Sequence, residues 1–559
     1  MAPLSRRAFL GTSSLAIAGV GLGLSRNAHA LSMHRIVRIP VRSRTPVATI
    51  LPDLVDPEHL RILARAAVDA AQHAGAEYTD VRVADMRQLR MDWDLPEIQP
   101  YPVSLVRLHY GYGVRVRVKG IWSFAFGVDP TIDGIAHAAR TAVDTARGMT
   151  KIISPTSDFA PAPVLRGEWA TPVEIDPFAI SPDEHVKVLG AYSDAARHVE
   201  NCSLDILESI WTREARVFAS SEGTLLTQQT MRSSLTLSVS AGHALRVNGV
   251  SLPVVGMEPG SGGFERLLEP VLQERIKVTA EEAARLVSIP EAEANVGRYE
   301  AVLDGTIVGE VLGATLAQAL DLGRALGLNA DGDGTSFLAP TEQVLGQSLF
   351  SPQLTVVADR SVPHFGAAKW DDEGVATESF PVIQRGCVVD YFTTRSNVSA
   401  LAAWYAKRGQ PLRSNGSAVS WAVTTSPVSA ASQLVMTSGT TGMSLDALTR
   451  QLSNGIIARN IRRWQSASTD QQLSGGAVYP QSLFEVKKGQ ITRRLLSGVL
   501  QFRTKSFWRS VTACGDASTV QSRTHLDWRG ETHSRATQPV WAPAVLVPNM
   551  DVIQIGRAL

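Results

Sequence analysis

Residues 299–314 read YEAVLDGTIVGEVLGA, and this stretch carries more information about the fold than any other. Strand patterns begin after Arg298, and a helix is predicted near Gly309 to Ala325. Glu310 is a lone glutamate on this otherwise apolar helix. Strand patterns predominate further on, with another helix near Leu445 to Leu452. The stretch therefore predicts the start of a β-rich C-terminal domain over residues 298–550.

Two further domains are predicted upstream. Residues 50–160 contain a helix, apolar residues that alternate with polar ones on both sides of a Lys119-Gly120 turn, and a second helix. Residues 165–295 combine helix patterns with antiparallel strands, and Thr279 to Glu282 form a capping box that predicts a helix start. We therefore expect an α+β protein, with an N-terminal α+β domain and a middle helix-plus-antiparallel-strand domain before the β-rich one.

The first thirty residues have the pattern of a secretory signal. Arg6 and Arg7 precede a weakly apolar, glycine-rich stretch, and Ala28-His29-Ala30 is a small-x-small cleavage site. Paired arginines are typical of the twin-arginine pathway. We expect residues 1–30 to be a twin-arginine signal peptide and the mature protein to be periplasmic or secreted.

Charge and cysteine content exclude several classes of protein. Removing the three arginines of the signal from 54 basic residues leaves 51 against 53 acidic, a net charge of −2. This balance gives no electrostatic footprint for nucleic acid. The three scattered cysteines exclude a disulfide framework. After signal removal, we expect no stable membrane span.

Several blocks together resemble the TldD/PmbA (TldE) family. The quoted stretch falls where zinc-peptidase members of this family carry a His-Glu-x-x-x-His motif. The blocks that follow the family's order and approximate spacing are residues 75–82 (GAEYTDVR), 334–337 (GTSF), 354–359 (LTVVAD), 371–375 (DDEGV), 444–448 (SLDAL), 454–456 (NGI) and 488–493 (KGQITR). The resemblance covers about residues 55–550 and implies a barrel-like C-terminal domain and a role in proteolysis.

The resemblance fails at the metal site. In the peptidase members the two histidines would bind zinc and the glutamate would be the general base, but Gly309 and Ala314 occupy the histidine positions here. Neither residue can bind a metal, and a catalytic zinc usually needs three protein ligands. We therefore expect no cofactor, and we interpret Glu310, the catalytic position of the motif, as vestigial or structural.

Other residues offer alternative chemistry. The densest group of candidate metal ligands comprises His525, Asp527, Glu531 and His533. A second group is His364 with residues 371–373, for which turn formation is a structural explanation. Cys514 is a candidate nucleophile, but no signature ties it to a histidine, and a buried inert thiol is the simpler interpretation.

Three functions remain open. The leading one is a metal-free, TldE-like subunit that binds a peptide substrate beside a zinc-bearing TldD-like partner, as a heterodimer, with self-association as the alternative. The second is an active metallopeptidase with relocated ligands, and the third is a stand-alone periplasmic binding protein. The family's association with DNA gyrase gains no support from the charge balance, and an exported protein would not meet gyrase.

Overall fold

The computed structural model describes residues 54–554, apart from 94–103, 153, 155–158, 243–248, 255–258, 329, 331–333, 362–363, 421, 432, 440–441, 467–474 and 530–533. The predicted signal peptide therefore lies outside the described residues, as do Glu531 and His533. None of the helices in the described ranges has the length and apolarity that a bilayer crossing requires.

The first half of the chain forms one eight-stranded sheet, which we call the N-terminal sheet. Its main path has the order β3-β2-β1-β5-β6-β4, and β7 and β8 pair with β6. The strands are β1 (Tyr78–Trp93), β2 (Ser104–Val118), β3 (Ile121–Val128), β4 (Arg166–Ala170), β5 (Cys202–Ser220), β6 (Leu225–Ala241), β7 (Val250–Pro253) and β8 (Gly260–Ser261). Because β1 pairs with β5 from Asp80 to Trp93, strands before and after the predicted boundary near residue 160 share this sheet.

Four helices pack against the N-terminal sheet. They are α1 (Pro57–His73), α2 (Ile132–Met149), α3 (Pro182–Arg197) and α4 (Val271–Val287). Helices α1 and α2 bury alanine-rich apolar stripes against the valines of β1, β2 and β5, and α3 and α4 pack in a second cluster with β5, β6 and β7. The predicted Lys119-Gly120 turn is confirmed, because both residues have positive φ and Val118 pairs with Ile121.

The predicted helix start at Thr279 is wrong. Helix α4 begins at Val271, so Thr279 lies in its interior. The Thr279 hydroxyl donates to the carbonyl oxygen of Arg275 at 2.7 Å. A hydroxyl that bonds within its own helix can sit in mid-helix, so the capping-box pattern does not mark a boundary here.

The C-terminal domain contains a closed barrel of five strands, in agreement with the predicted barrel-like domain. The ring runs β17-β10-β24-β20-β18 and closes because β17 also pairs with β18. Its strands, with β9, β19 and β21 attached, are β9 (Glu291–Glu293), β10 (Gly297–Leu303), β17 (Asn454–Ser466), β18 (Gly475–Lys487), β19 (Gln490–Leu496), β20 (Gly498–Arg503), β21 (Ala513–Cys514) and β24 (Val545–Gln554). The predicted α+β class with a barrel-like C-terminal domain is confirmed.

A six-stranded sheet of order β13-β12-β11-β16-β23-β22 completes this domain, together with a small β14-β15 pair. These strands are β11 (Val356–Ala358), β12 (Phe380–Gln384), β13 (Cys387–Val388), β14 (Ala418–Val419), β15 (Val428–Ser429), β16 (Leu434–Met436), β22 (Gln521–Arg529) and β23 (Ser534–Ala542). The helices are α5 (Gly305–Ala314), α6 (Leu316–Ala319), α7 (Leu322–Ala325), α8 (Thr341–Val344), α9 (Ala402–Lys407), α10 (Leu445–Arg450) and α11 (Thr504–Ser510).

The single helix predicted near Gly309 to Ala325 is instead three short helices. Helix α5 ends at Ala314, because Thr315 has the non-helical angles φ −126° and ψ −77°. Asp321 then caps α7 by accepting from the amide of Gly323. An apolar pattern alone does not reveal these breaks.

Candidate functional site

Helix α5 carries the glutamate of the motif into the core. The side chain of Asp304 at the end of β10 caps the helix by accepting from the amide of Ile307 at 3.1 Å. All ten residues of α5 are buried, because the helix packs against β17, β22 and β23. A charged residue on such a helix needs partners, since an unpaired buried charge is strongly unfavourable.

Both carboxylate oxygens of Glu310 have partners on β22. Arg523 Nε donates to Oε2 at 2.7 Å, and His525 Nδ1 contacts Oε1 at 2.9 Å. The Glu310 side chain is only 8% exposed. Arg523 and His525 are two residues apart on β22, so both side chains reach the helix from the same face of the strand.

Small residues permit this close approach. A Cβ added at Gly313 would lie 2.6 Å from the Cβ of His525, and one added at Gly309 would lie 3.1 Å from the Cβ of Arg523. The first distance is shorter than carbon atoms tolerate, and the second leaves little room. Position 309 therefore faces the strand that supplies the partners of Glu310.

The partners of Glu310 also fix its charge. Burial by itself would raise the pKa of Glu310, but the hydrogen bond from His525 and the positive charge of Arg523 outweigh burial and lower that pKa. With its Nδ1 proton directed at the carboxylate, His525 presents Nε2 to the side-chain nitrogen of Gln318 at 3.2 Å. Glu310 is therefore an ionised carboxylate with both oxygens engaged, a poor arrangement for a general base.

The donor set around Glu310 does not fit a catalytic zinc. Gly309 and Ala314 supply no ligand atom, and His525 already contacts Gln318 through Nε2. Within the described ranges, no three His, Cys, Asp or Glu side chains are grouped closely enough to hold a metal ion. A zinc site with three protein ligands would need donors from elsewhere.

The structure describes the relocated-ligand group only in part. His525 is buried beside Glu310, and Asp527 lies two positions further along β22, where it pairs with Ala536. Glu531 and His533, the other two members, lie outside the described residues. The grouping of all four side chains stays a prediction.

His364 and residues 371–373 have separate partners. His364 Nε2 lies 3.7 Å from Asp359 Oδ2, and its ring packs edge-on against Trp541. Asp371 instead accepts from the backbone amides of Glu373, Val375 and Ala418. Asp371 thus forms the turn expected of this motif.

The two residues after Asp371 bind arginines of the N-terminal sheet. Asp372 pairs with Arg216 on β5, and Glu373 Oε1 accepts from Arg115 on β2 at 2.8 Å. Arg115 also binds Asp80 of β1 at 2.6 Å. Arg115 belongs to the polar positions that alternate with Val114 and Val116, so the polar face of the predicted hairpin is buried here against the C-terminal domain.

Next to these ion pairs lies a cavity of about 360 Å³, which we call the arginine cavity. The N-terminal sheet supplies one wall, and residues 360, 365, 366, 368, 370, 372, 419, 420 and 524 supply the other. Sequence reasoning missed this site. The signal was present in Arg216 and Arg232, which sit among alternating residues of β5 and β6, but nothing in the pattern shows that the C-terminal domain covers them.

Cys514 is a buried, free thiol. It is 3% exposed, and its Sγ lies 3.7 Å from the carbonyl oxygen of Gln353. Burial raises the pKa of the Cys514 thiol to about 11. A thiol with so high a pKa is a poor nucleophile near neutral pH. This agrees with the interpretation of Cys514 as an inert residue.

Relatives of known sequence cover most of the chain. Residues 296–554 match a family model described as the PmbA/TldA metallopeptidase C-terminal domain. A metalloprotease of Methanothermobacter thermautotrophicus is 26% identical over 398 residues, which cover 70% of this chain and 78% of that protein. A metalloprotease of Archaeoglobus fulgidus is 22% identical over 291 residues, which cover 52% of this chain and 61% of that protein.

Solved structures share the fold. A proposed modulator of a DNA gyrase from Thermotoga maritima superposes with a TM-score of 0.64 at 14% identity and covers 88% of this chain and 100% of its own. TldE from Thermococcus kodakarensis has a TM-score of 0.63 at 13% identity and covers 88% of this chain and 99% of its own. Residues 296–554 therefore form a C-terminal domain of the PmbA/TldD metallopeptidase family, and the chain resembles metalloproteases in sequence and TldE in fold.

Proposed function

We propose that this chain is an exported, metal-free subunit that binds peptides beside a zinc-bearing, TldD-like partner. The observation that carries the proposal is the state of Glu310. Its two oxygens are occupied by Arg523 and His525, and the flanking motif positions hold Gly309 and Ala314. A water-activating zinc has neither ligands nor a free base at this helix.

The fold that surrounds the site supports a retained role in peptide binding. The family fold persists over both halves of the chain, although the metal ligands of the motif are missing. A family member that keeps its fold without its metal can still hold an extended peptide by backbone pairing. The catalytic group would then come from the partner.

The first test is metal content. The chain is purified without chelators, alone and after co-expression with a family member from the same genome that carries both histidines. We expect no zinc in the chain alone and one zinc per complex by plasma mass spectrometry, with the two chains eluting together in size-exclusion chromatography. A chain that stays separate from its relative would contradict the proposal.

A matched pair of variants identifies relocated ligands. The chain alone is tested for stoichiometric zinc. If zinc is present, disappears in His525→Gln and persists in His59→Gln, the chain has a metal site with new ligands, and the metal-free assignment is overturned. His59 suits the control because it is exposed on α1.

Export is tested separately. Replacing both Arg6 and Arg7 by lysine keeps the charge but removes the twin-arginine signal. We expect the variant to accumulate in the cytoplasm, whereas the unaltered chain fractionates outside it. Equal distribution of the two proteins would contradict export by this pathway.

A further inference from the structure

The arginine cavity has an unbalanced charge. Arg216, Arg232 and Arg360 line it against only two carboxylates, Glu214 and Asp372. Arg82 and Asp371, immediately behind this lining, add one group of each sign. The lining therefore carries an excess of one positive charge when the carboxylates are ionised.

The ion pairs leave two of the three arginines without a close carboxylate. Arg216 takes both acids, because it binds Glu214 at 2.7 Å and also binds Asp372. Arg232 comes no closer than 3.7 Å to Glu214. Arg360 donates to the carbonyl oxygens of Gly366 and Gly416 rather than to a charged group.

Partial burial disfavours the charges of Arg232 and Arg360. Burial lowers the pKa of Arg232 and lowers that of Arg360 to about 10, so both guanidinium charges are unfavourably placed. Thr230 is 6% exposed, lines the same cavity, and its hydroxyl oxygen has no hydrogen-bond partner among the described residues. An incoming acceptor would satisfy these groups.

The remaining lining mixes apolar side chains with uncharged polar ones such as Gln88, Gln228 and Ser234. Leu108, Ile210, Phe365 and Trp370 contribute to the walls. A volume of about 360 Å³ lies near the lower end of the roughly 300–1,000 Å³ typical of small-molecule sites. A ligand of matching chemistry would thus combine one negative group with an apolar body.

We propose that the arginine cavity recognises an organic carboxylate attached to an apolar group, such as the C-terminal carboxylate and last side chain of a peptide. A planar carboxylate matches the paired donors of a guanidinium, and Arg232 and Arg360 have donors to spare. The choice of a peptide as the source of this carboxylate rests on the proposed function. A free carboxylic acid with an aromatic body presents the same chemistry.

The test compares three probes by isothermal titration calorimetry on the full chain. They are N-acetyl-glycyl-glycyl-phenylalanine as the acid, the same peptide as its C-terminal amide, and 3-phenylpropionate. We expect the peptide acid to bind at least about 30-fold more tightly than the amide, because the amide leaves a partly buried arginine charge unpaired. Binding of 3-phenylpropionate as tight as that of the peptide acid would support the carboxylate site and assign it to free acids.

Single substitutions test whether the arginines of the cavity bind the carboxylate. Arg232→Gln should weaken binding of the peptide acid by about 30-fold or more. Arg140→Gln, which removes an exposed charge on α2, should leave the affinity unchanged. If Arg232→Gln does not fold, Ser234→Glu is the substitute, because it places a carboxylate on the cavity lining and should abolish binding of the acid.

Equal affinities for acid and amide, or full affinity in Arg232→Gln, would overturn carboxylate recognition and leave peptide binding standing. Failure of all three probes to bind would overturn the cavity proposal. Metal content and complex formation, measured independently, decide the proposed function in either case.

Discussion

At the scale of single residues, the central feature is a carboxylate whose environment favours its charge and engages both of its oxygens. Glu310 is buried, and burial alone would favour its neutral form. Arg523 and His525 reverse this preference by direct contact. These contacts join α5 to β22.

Substituting Glu310 by glutamine should destabilise the fold. The amide keeps the shape but loses the charge opposite Arg523, so we expect the free energy of unfolding at pH 7 to fall by about 1–3 kcal/mol in urea denaturation. Glu281→Gln, at an exposed position of α4, should change it by less than about 0.5 kcal/mol. Equal stability of the two variants would show that the contacts of Glu310 contribute little.

The cysteines should differ in reactivity. Burial raises the pKa of the Cys202 and Cys514 thiols, whereas Cys387 is partly exposed. Since the thiolate is the reactive form, a disulfide reagent at pH 8 should modify one thiol in the native protein and three after unfolding. Cys387→Ala should leave no fast-reacting thiol, and a fast reaction in that variant would contradict the burial of the other two.

At the scale of elements, the contact between α5 and β22 depends on small residues in the helix. Gly313 faces the Cβ of His525, and Gly309 faces the Cβ of Arg523 at a greater distance. Both glycines have ordinary helical neighbours, so each loses helix propensity relative to alanine. Sterics and propensity therefore act in opposite directions at the two positions.

Two alanine variants separate these effects. In Gly313→Ala the added carbon would overlap the base of His525, and we expect a loss of about 1–3 kcal/mol in the free energy of unfolding. In Gly309→Ala the milder contact is offset by a propensity gain of up to about 1 kcal/mol, so stability should change little. Urea denaturation of both variants measures the difference, and an equal loss in both would contradict the steric account.

Local pattern predicted the elements better than their ends. The helix at Pro57 has a side-chain cap and a proline at its start, and its apolar stripe is buried. In contrast, β5 runs unbroken for 19 residues through the polar position Glu214, so its ends cannot be read from a hydrophobic pattern. Glu214 is 2% exposed and bound to Arg216, so a tertiary ion pair keeps a polar position in the strand.

At the scale of the whole molecule, ion pairs join the two halves of the chain. Arg395 illustrates this, because it lies in the C-terminal domain and binds Glu222 beside β5 through two donors at 2.8 Å each. Its backbone amide also donates to Glu373. Sequence reasoning could place Glu310 on a helix, but it could not pair residues that lie so far apart along the chain.

Stability at this junction should depend on pH. Burial and the charge of Glu373 raise the pKa of Asp371 to about 7, against about 3.9 for an unfolded aspartate. Between these values the folded state binds more protons than the unfolded state, so the contribution of Asp371 to stability decreases as pH rises from about 4 to about 7.

Replacing Asp371 by asparagine should remove this decrease. Thermal unfolding followed between pH 4 and pH 7 should show the unaltered protein losing stability relative to Asp371→Asn as the pH rises. Asp69→Asn, at an exposed position of α1, should retain the pH dependence of the unaltered protein. Parallel curves for Asp371→Asn and the unaltered protein would exclude Asp371 as the group that titrates.

The closed barrel constrains the order of events during synthesis. Strand β10 pairs with β17 and with β24, and β24 is made long after β10. Until β24 has left the ribosome, the growing chain exposes open edges on β10 and β20, which are prone to pair with other chains. A nascent chain of this protein should therefore need protection by chaperones until translation has passed Gln554 and β24 has left the ribosome.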